Sequence, residues 1–131
     1  MNRPTILLVE DEAGVRAVVR ETLTDQGYVI LEALDGSEAL QIAREHSGAI
    51  DLLITDMIMP RMGGLELAGK LDAARPGVKV LFMSGYADRA AVGDGTLQPE
   101  TNYLQKPFAL ETLTHRVRQI LGAAEKQKES K

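Results

Sequence analysis

At 131 residues the chain is one domain's length and too short for a second core. Its 44% hydrophobic and 26% charged residues exclude a disordered polymer, and the absence of Cys excludes disulfides, thiolate nucleophiles and Cys-bound metal. A formal net charge of -4 with 4% aromatic residues gives nucleic acid neither a basic footprint nor a stacking platform, and no apolar run approaches the ~20 residues that cross a bilayer.

The first candidate strand, Thr5-Ile6-Leu7-Leu8-Val9, is apolar throughout, as strands covered on both faces are, and it empties into Glu10-Asp11-Glu12. From Ala13 to Gln26 the positions Val15, Val18, Val19 and Leu23 recur at helical spacing, and Gly27 stops the helix. Val29 to Ala33 is a second strand. Asp35-Gly36-Ser37-Glu38 has the arrangement of a capping box ahead of the helical run Ala39 to Ala43. Leu52-Leu53-Ile54-Thr55-Asp56 is a third strand, long enough for a strand and too short for a helix, and it breaks at Met59-Pro60 and Gly63-Gly64. Leu65, Leu67, Ala68 and Leu71 mark a helix that runs to Arg75 and halts before Pro76-Gly77. Val78 to Met83 is a fourth strand ending at Ser84-Gly85. Between Ala87 and Thr101 the residues Gly93, Gly95 and Pro99 leave room only for a short helix around Arg89 to Val92. Asn102 to Gln105 is a fifth strand, followed by Lys106-Pro107-Phe108 and a last helix with Leu110, Leu113, Val117, Ile120 and Leu121 on one face.

Strands alternating with helices over such short connections predict an α/β fold, a doubly wound five-stranded parallel sheet with helices on both faces. The globular domain spans 4–122, and 123–131 is a polar tail or linker without apolar periodicity. With no signal-peptide core, the expected location is the cytoplasm, with no membrane contact by this domain.

In such a sheet, functional groups gather beyond the carboxyl ends of the strands. Those ends carry Glu10 and Asp11 after the first, Asp56 after the third, Ser84 after the fourth and Lys106 after the fifth. Three clustered carboxylates repel one another unless a hard cation sits among them. The all-oxygen donor set suits Mg2+ and argues against zinc. With Mg2+ and Lys106 supplying positive charge, the Asp56 carboxylate becomes a nucleophile towards phosphorus, and Ser84 can hydrogen-bond a phosphoryl oxygen. Taken singly, each residue has a plainer reading. Asp11 or Glu12 would cap the first helix, Lys106 would be a solvated lysine, Ser84 a turn residue, Tyr103 ordinary strand packing, and His46 and His115 exposed helix residues. Met57, Met59 and Met62 are flexible packing or a docking surface.

The acidic pair, Asp56-Met-Ile-Met-Pro-x-Met-Gly-Gly, Met83-Ser-Gly-Tyr and Lys106-Pro-Phe, in that order, resemble the receiver domains of two-component response regulators from Thr5 to about Leu121. The resemblance implies a flavodoxin-like receiver fold with strand order 2-1-3-4-5. It implies that Asp56 accepts a phosphoryl group from the phosphohistidine of a histidine kinase or histidine phosphotransfer domain. Glu10, Asp11 and Asp56 would hold Mg2+ with the main-chain carbonyl of Ile58. Ser84 and Lys106 would contact the phosphoryl group, Tyr103 would report activation alongside Ser84, and Lys106-Pro107 would be a cis peptide. Phe82-Met-Ser-Gly-Tyr-Ala, Gly93-Asp-Gly-Thr-Leu and Asn102-Tyr-Leu-Gln-Lys-Pro-Phe are similar to receivers at the C-terminus of hybrid sensor histidine kinases.

Two departures qualify the likeness. Glu10 stands where many members have Asp, which favours a water-mediated metal contact, and Ser84 lacks the methyl group of the common Thr. Ile58 and Tyr86 lie where the hydrolytic water enters, so bulky side chains there are expected to slow loss of the phosphoryl group. The function expected is a phosphorylation-controlled switch that is not a turnover enzyme. Its last helix offers a solvated face or, in a homodimer, a surface for a second copy. Three rivals stand beside it. An aspartyl-nucleophile phosphatase needs an acid where Ile58 stands, a nucleotide or flavin domain needs a glycine-rich loop where Glu10-Asp11-Glu12 stands, and a receiver-like scaffold would leave the full acidic, Ser and Lys set unused.

Overall fold

Alternation along the strands divides the core into two layers. In the computed structural model, which describes the backbone of residues 3–84 and 103–129 and side chains through Gly122, strand β1 (Thr5–Val9) is buried at every position. Ile6 and Leu8 face one way, into a layer with Val19, Leu23, Leu113 and Val117; Leu7 and Val9 face the other, into a layer with Ala39, Leu67 and Leu71. Strand β3 (Leu52–Asp56) is likewise wholly buried, which is why Ile6 to Val9 and Leu52 to Ile54 read as apolar without alternation.

With β2 (Val29–Ala33), β4 (Lys79–Ser84) and β5 (Tyr103–Gln105) they form a parallel sheet in the order β2-β1-β3-β4-β5. Propagation reverses between β1 and β3, so the crevice of a doubly wound sheet lies beyond their carboxyl ends. The register pairs Val9 with Thr55, Asp56 with Met83 and Ser84 with Gln105, and so brings the strand ends to one edge. The last two strands are also tied there, because the Lys106 N–H donates to the Ser84 carbonyl at 2.7 Å.

Helix α1 (Ala13–Asp25) ends against Gly27, whose φ of 98° is open to glycine at little cost. Helix α2 (Gly36–Glu45) starts on the expected cap. The Asp35 carboxylate accepts the Glu38 N–H at 2.9 Å, while the Glu38 carboxylate accepts from the Leu34 N–H at 2.6 Å, one residue earlier than in a standard capping box. His46 is not an exposed helix residue; it is the half-buried C-cap of α2. Arg75, just after α3 (Gly64–Ala74), donates to the carbonyls of Ala43, His46 and Gly48, so one guanidinium closes the open end of α2.

Helix α4 (Leu110–Glu129) runs on through most of the segment expected to fray. Its last turns, Ala123-Ala124-Glu125-Lys126-Gln127-Lys128, have no apolar stripe, but they are strong helix formers, and propensity extends a helix that packing has already nucleated. The short helix expected around Arg89 to Val92, and Tyr86, lie outside the described residues.

The turn out of β3 depends on a glycine. The Gly64 N–H donates to the Met57 carbonyl at 2.8 Å, and a Cβ at position 64 would collide with the main-chain oxygen of Asp56. Backbone cannot step aside as a flexible side chain can. Gly64→Ala is therefore expected to cost about 2 kcal/mol in urea unfolding, the range of overpacked core sites.

Candidate functional site

Asp56 closes β3 with its side chain almost enclosed, at 6% exposure. Glu10, immediately after β1, is fully buried, while Asp11 is exposed beside it. One oxygen from each of these three carboxylates lies within 4.8 Å of the others. Lys106, just beyond β5, bridges two of them, its Nζ standing 2.7 Å from Asp56 Oδ1 and 2.9 Å from Glu10 Oε1. The second oxygen of Glu10 accepts the Glu12 N–H at 3.1 Å. Glu12 is the N-cap of α1 and its own side chain makes no capping bond, so the contact at this helix entry is the one from the Glu12 N–H to the buried Glu10 carboxylate.

Charge is held in these positions unequally. Burial, and then hydrogen bonding to Glu10, push the Asp56 carboxyl up to about 7, against the pull of Lys106. Burial pushes Glu10 up as well, but hydrogen bonds with Asp56, Lys106 and the Glu12 amide outweigh it and leave Glu10 below the usual carboxylate range. Burial works against the Lys106 ammonium too, yet the two carboxylates hold its pKa above the ordinary value. Among the described residues, one lysine stands against three carboxylates, which leaves the cluster with excess negative charge. That imbalance, an all-oxygen donor set and the exposed Asp11 fit a divalent cation such as Mg2+.

Ser84 is the other open valence. Its Oγ is buried and has no hydrogen-bond partner among the described residues, so a polar acceptor brought to the strand ends would find a ready donor there. Tyr103 is buried on the neighbouring strand, in a small cluster with Met57 and Phe82, and Arg116 donates to its main-chain carbonyl at 2.7 Å. Met57 and Met59 are packing residues at 8% and 7% exposure, whereas the Ile58 side chain between them is 63% exposed. The Lys106-Pro107 peptide is cis, as expected.

The strand ends thus converge as the sequence indicates, while one neighbour was not legible in it. Arg16, on the second turn of α1, donates to the main-chain carbonyl of Glu10 at 2.7 Å and pairs with Glu32 at 3.4 Å. In the sequence it is one arginine among several on a helix, and only the β1–α1 turn brings it to the acidic pair.

Residues 6–118 match the family described as the response regulator receiver domain. The chain is 39% identical over 117 residues to the sensor kinase CckA of Brucella abortus, covering 89% of this chain but 12% of that protein. It is 33% identical over 119 residues to the response regulator receiver protein CpdR of the same organism, covering 91% of this chain and 98% of that one. Among solved structures, the receiver domain from the hybrid histidine kinase CckA matches with a TM-score of 0.73 at 41% identity, covering 89% of this chain and 98% of that one. A receiver domain protein from Clostridium thermocellum superposes with a TM-score of 0.81 at 24% identity, a likeness of fold. Among the described residues no helix is long and apolar enough to cross a membrane. With the sheet order, the acidic cluster and the bridging lysine in place, the matched span of 6–118 makes the conclusion plain: the chain belongs to the response regulator receiver domain family of two-component systems.

Proposed function

We propose that this receiver accepts a phosphoryl group on Asp56 from a phosphohistidine, with Mg2+ held by Glu10, Asp11, Asp56 and the main-chain carbonyl of Ile58. The observation that carries this reading is Asp56 itself, a nearly enclosed carboxylate at a parallel strand end with Lys106 Nζ 2.7 Å away. Bound Mg2+ would neutralise charge on the carboxylates and the transferring group. An oxygen of the Asp56 carboxylate attacks phosphorus and forms the P–O bond as the P–N bond to the donor imidazole breaks. The imidazole nitrogen keeps the bonding pair and takes a proton from solvent, leaving as the neutral ring of the donor histidine. Lys106, already in place beside Asp56, compensates charge on the phosphoryl oxygens. The Ser84 hydroxyl donates to one of them and gains the partner it lacks among the described residues.

The acyl phosphate would then bias a two-state element. Drawing Ser84 towards the phosphoryl group alters the end of β4, whose neighbour across the β4–β5 pairing carries Tyr103 against Phe82. Two rival readings predict otherwise. A phosphatase needs an acid at position 58, where the chain has an exposed Ile, and an unphosphorylated scaffold has no use for a buried Ser84 hydroxyl without a partner among the described residues beside a buried acid and lysine. A donor histidine on a kinase or phosphotransfer domain is the partner this chemistry calls for.

Incubation with acetyl phosphate and MgCl2 is expected to add one phosphate to the intact mass, and EDTA is expected to abolish the adduct. A chain that stays unmodified under both conditions contradicts the proposal. Loss of the phosphoryl group needs a water in line with the P–O bond, and Ile58 is an apolar side chain two residues from the acceptor. Ile58→Asn, which can orient that water, is expected to shorten the half-life of the adduct followed by mass.

A further inference from the structure

Glu10 is held at four points. Its N–H donates to the Ala33 carbonyl at 3.2 Å, and its carboxylate takes Lys106 at 2.9 Å and the Glu12 N–H at 3.1 Å. Its carbonyl takes Arg16 at 2.7 Å. The first three fix the strand end and the buried side chain. The fourth fixes the peptide joining Glu10 to Asp11. Asp11 differs in kind from Glu10, because it is exposed and nothing among the described residues holds its carboxylate. The direction in which Asp11 presents its oxygens is therefore set by the backbone it stands on.

We infer that Arg16 is a positioning residue for the metal-binding pair, orienting Asp11 through the Glu10 carbonyl rather than through its charge. The geometry supports this division. Arg16 is mostly buried, with 16% of its side chain exposed, and a guanidinium can meet a carbonyl and the Glu32 carboxylate at the same time through different N–H groups. Pairing with Glu32, which also faces Arg20 at 3.6 Å, offsets its charge towards the site. A charge-assisted bond of this length from the first turns of α1 makes the Glu10–Asp11 peptide part of the helix–strand framework.

Field and positioning predict opposite signs. A cation near a cation site opposes metal binding, so by charge alone removal of Arg16 would tighten Mg2+; by positioning, removal weakens it. MgCl2 is titrated calorimetrically into the metal-free chain at fixed pH. Arg16→Met is expected to raise the dissociation constant for Mg2+ about tenfold, the lower end of the range for partners that orient metal ligands. Arg20→Met, which shares Glu32 but does not touch Glu10, leaves the constant unchanged or slightly lower. Melting of the metal-free variants shows whether each is folded. If Arg16→Met does not fold, Arg16→Lys gives the same sign, because an ammonium keeps the charge but loses the forked geometry.

Arg16 variants that bind Mg2+ as tightly as wild type, or an Arg20→Met that weakens it equally, would overturn the assignment. The inference rests on the Mg2+ reading of the site. Wild type that binds no Mg2+ would sink both, whereas wild-type binding with an unaffected Arg16→Met sinks this inference alone.

Discussion

At pH 8 without divalent cations, Asp56→Asn is expected to be more stable than the wild-type chain by about 2 kcal/mol, even though it removes the proposed acceptor. The charged form of Asp56 is what the fold tolerates least. Its carboxyl is pushed from an ordinary 3.8 up to about 7, by burial first and by Glu10 second. By linkage that gap corresponds to at most about 4 kcal/mol, and relaxation and the lost Lys106 contact reduce it. A carboxyl with a raised folded-state pKa contributes stability that is complete below its unfolded value and is lost as pH rises through the folded one. Metal-free wild type should therefore weaken steadily between about pH 4 and pH 7 and level off above that. The neighbours do not mask this trend. Glu10, lowered from 4.5, loses its contribution only on acidification below that value, and Lys106, raised from 10.5, loses its own only above that value. Denaturant melts from pH 5 to pH 7 should slope downward for wild type and lie flat for Asp56→Asn. Mg2+ binding must displace the Asp56 proton below about 7, so wild-type affinity for Mg2+ should rise with pH up to that point and level off above it.

Lys106→Met acts in the other direction. Glu10 is fully buried and would lose its only cationic partner among the described residues, while Asp56 would lose the cation 2.7 Å away. Removing one member of a buried charged pair leaves the other without compensation, and the expected loss is about 3 kcal/mol. Lys106→Arg should recover part of it, since the charge remains and only the geometry changes. Phosphoryl acceptance from acetyl phosphate, read as initial rate at saturating Mg2+, should fall about a hundredfold in Lys106→Met, as when one preorganised donor is lost from a site of developing charge. Normal stability and an unchanged rate would place Lys106 outside the chemistry, as a solvated lysine that happens to lie near the acids.

Much of this arrangement was legible because a parallel sheet converts position in sequence into position in space. Once Val9, Asp56, Ser84 and Gln105 are seen as strand termini, their neighbours must meet at one edge, and the buried runs of β1 and β3 mark those termini without ambiguity. What could not be read was which groups satisfy which. Glu10 resembles a free metal ligand in sequence, yet both its oxygens already have partners, the Lys106 ammonium and the Glu12 N–H. Arg16 and Arg75 resemble surface arginines. Each instead closes main-chain carbonyls on another element, a choice set by how helices lie on the sheet rather than by local pattern. The continuation of α4 to Glu129 was missed for a different reason, since periodicity reports a packed face and is silent where a helix rests on propensity.

The most direct test is to locate the phosphoryl group. After incubation with acetyl phosphate and MgCl2, sodium borohydride reduces an acyl phosphate to an alcohol, and peptide mapping identifies the converted residue. The conversion is expected at Asp56 alone, dependent on Mg2+, with none in Asp56→Asn. Conversion at Asp11 or Glu10 with Asp56 intact, or a phosphate adduct that resists borohydride and survives in Asp56→Asn, would contradict the account.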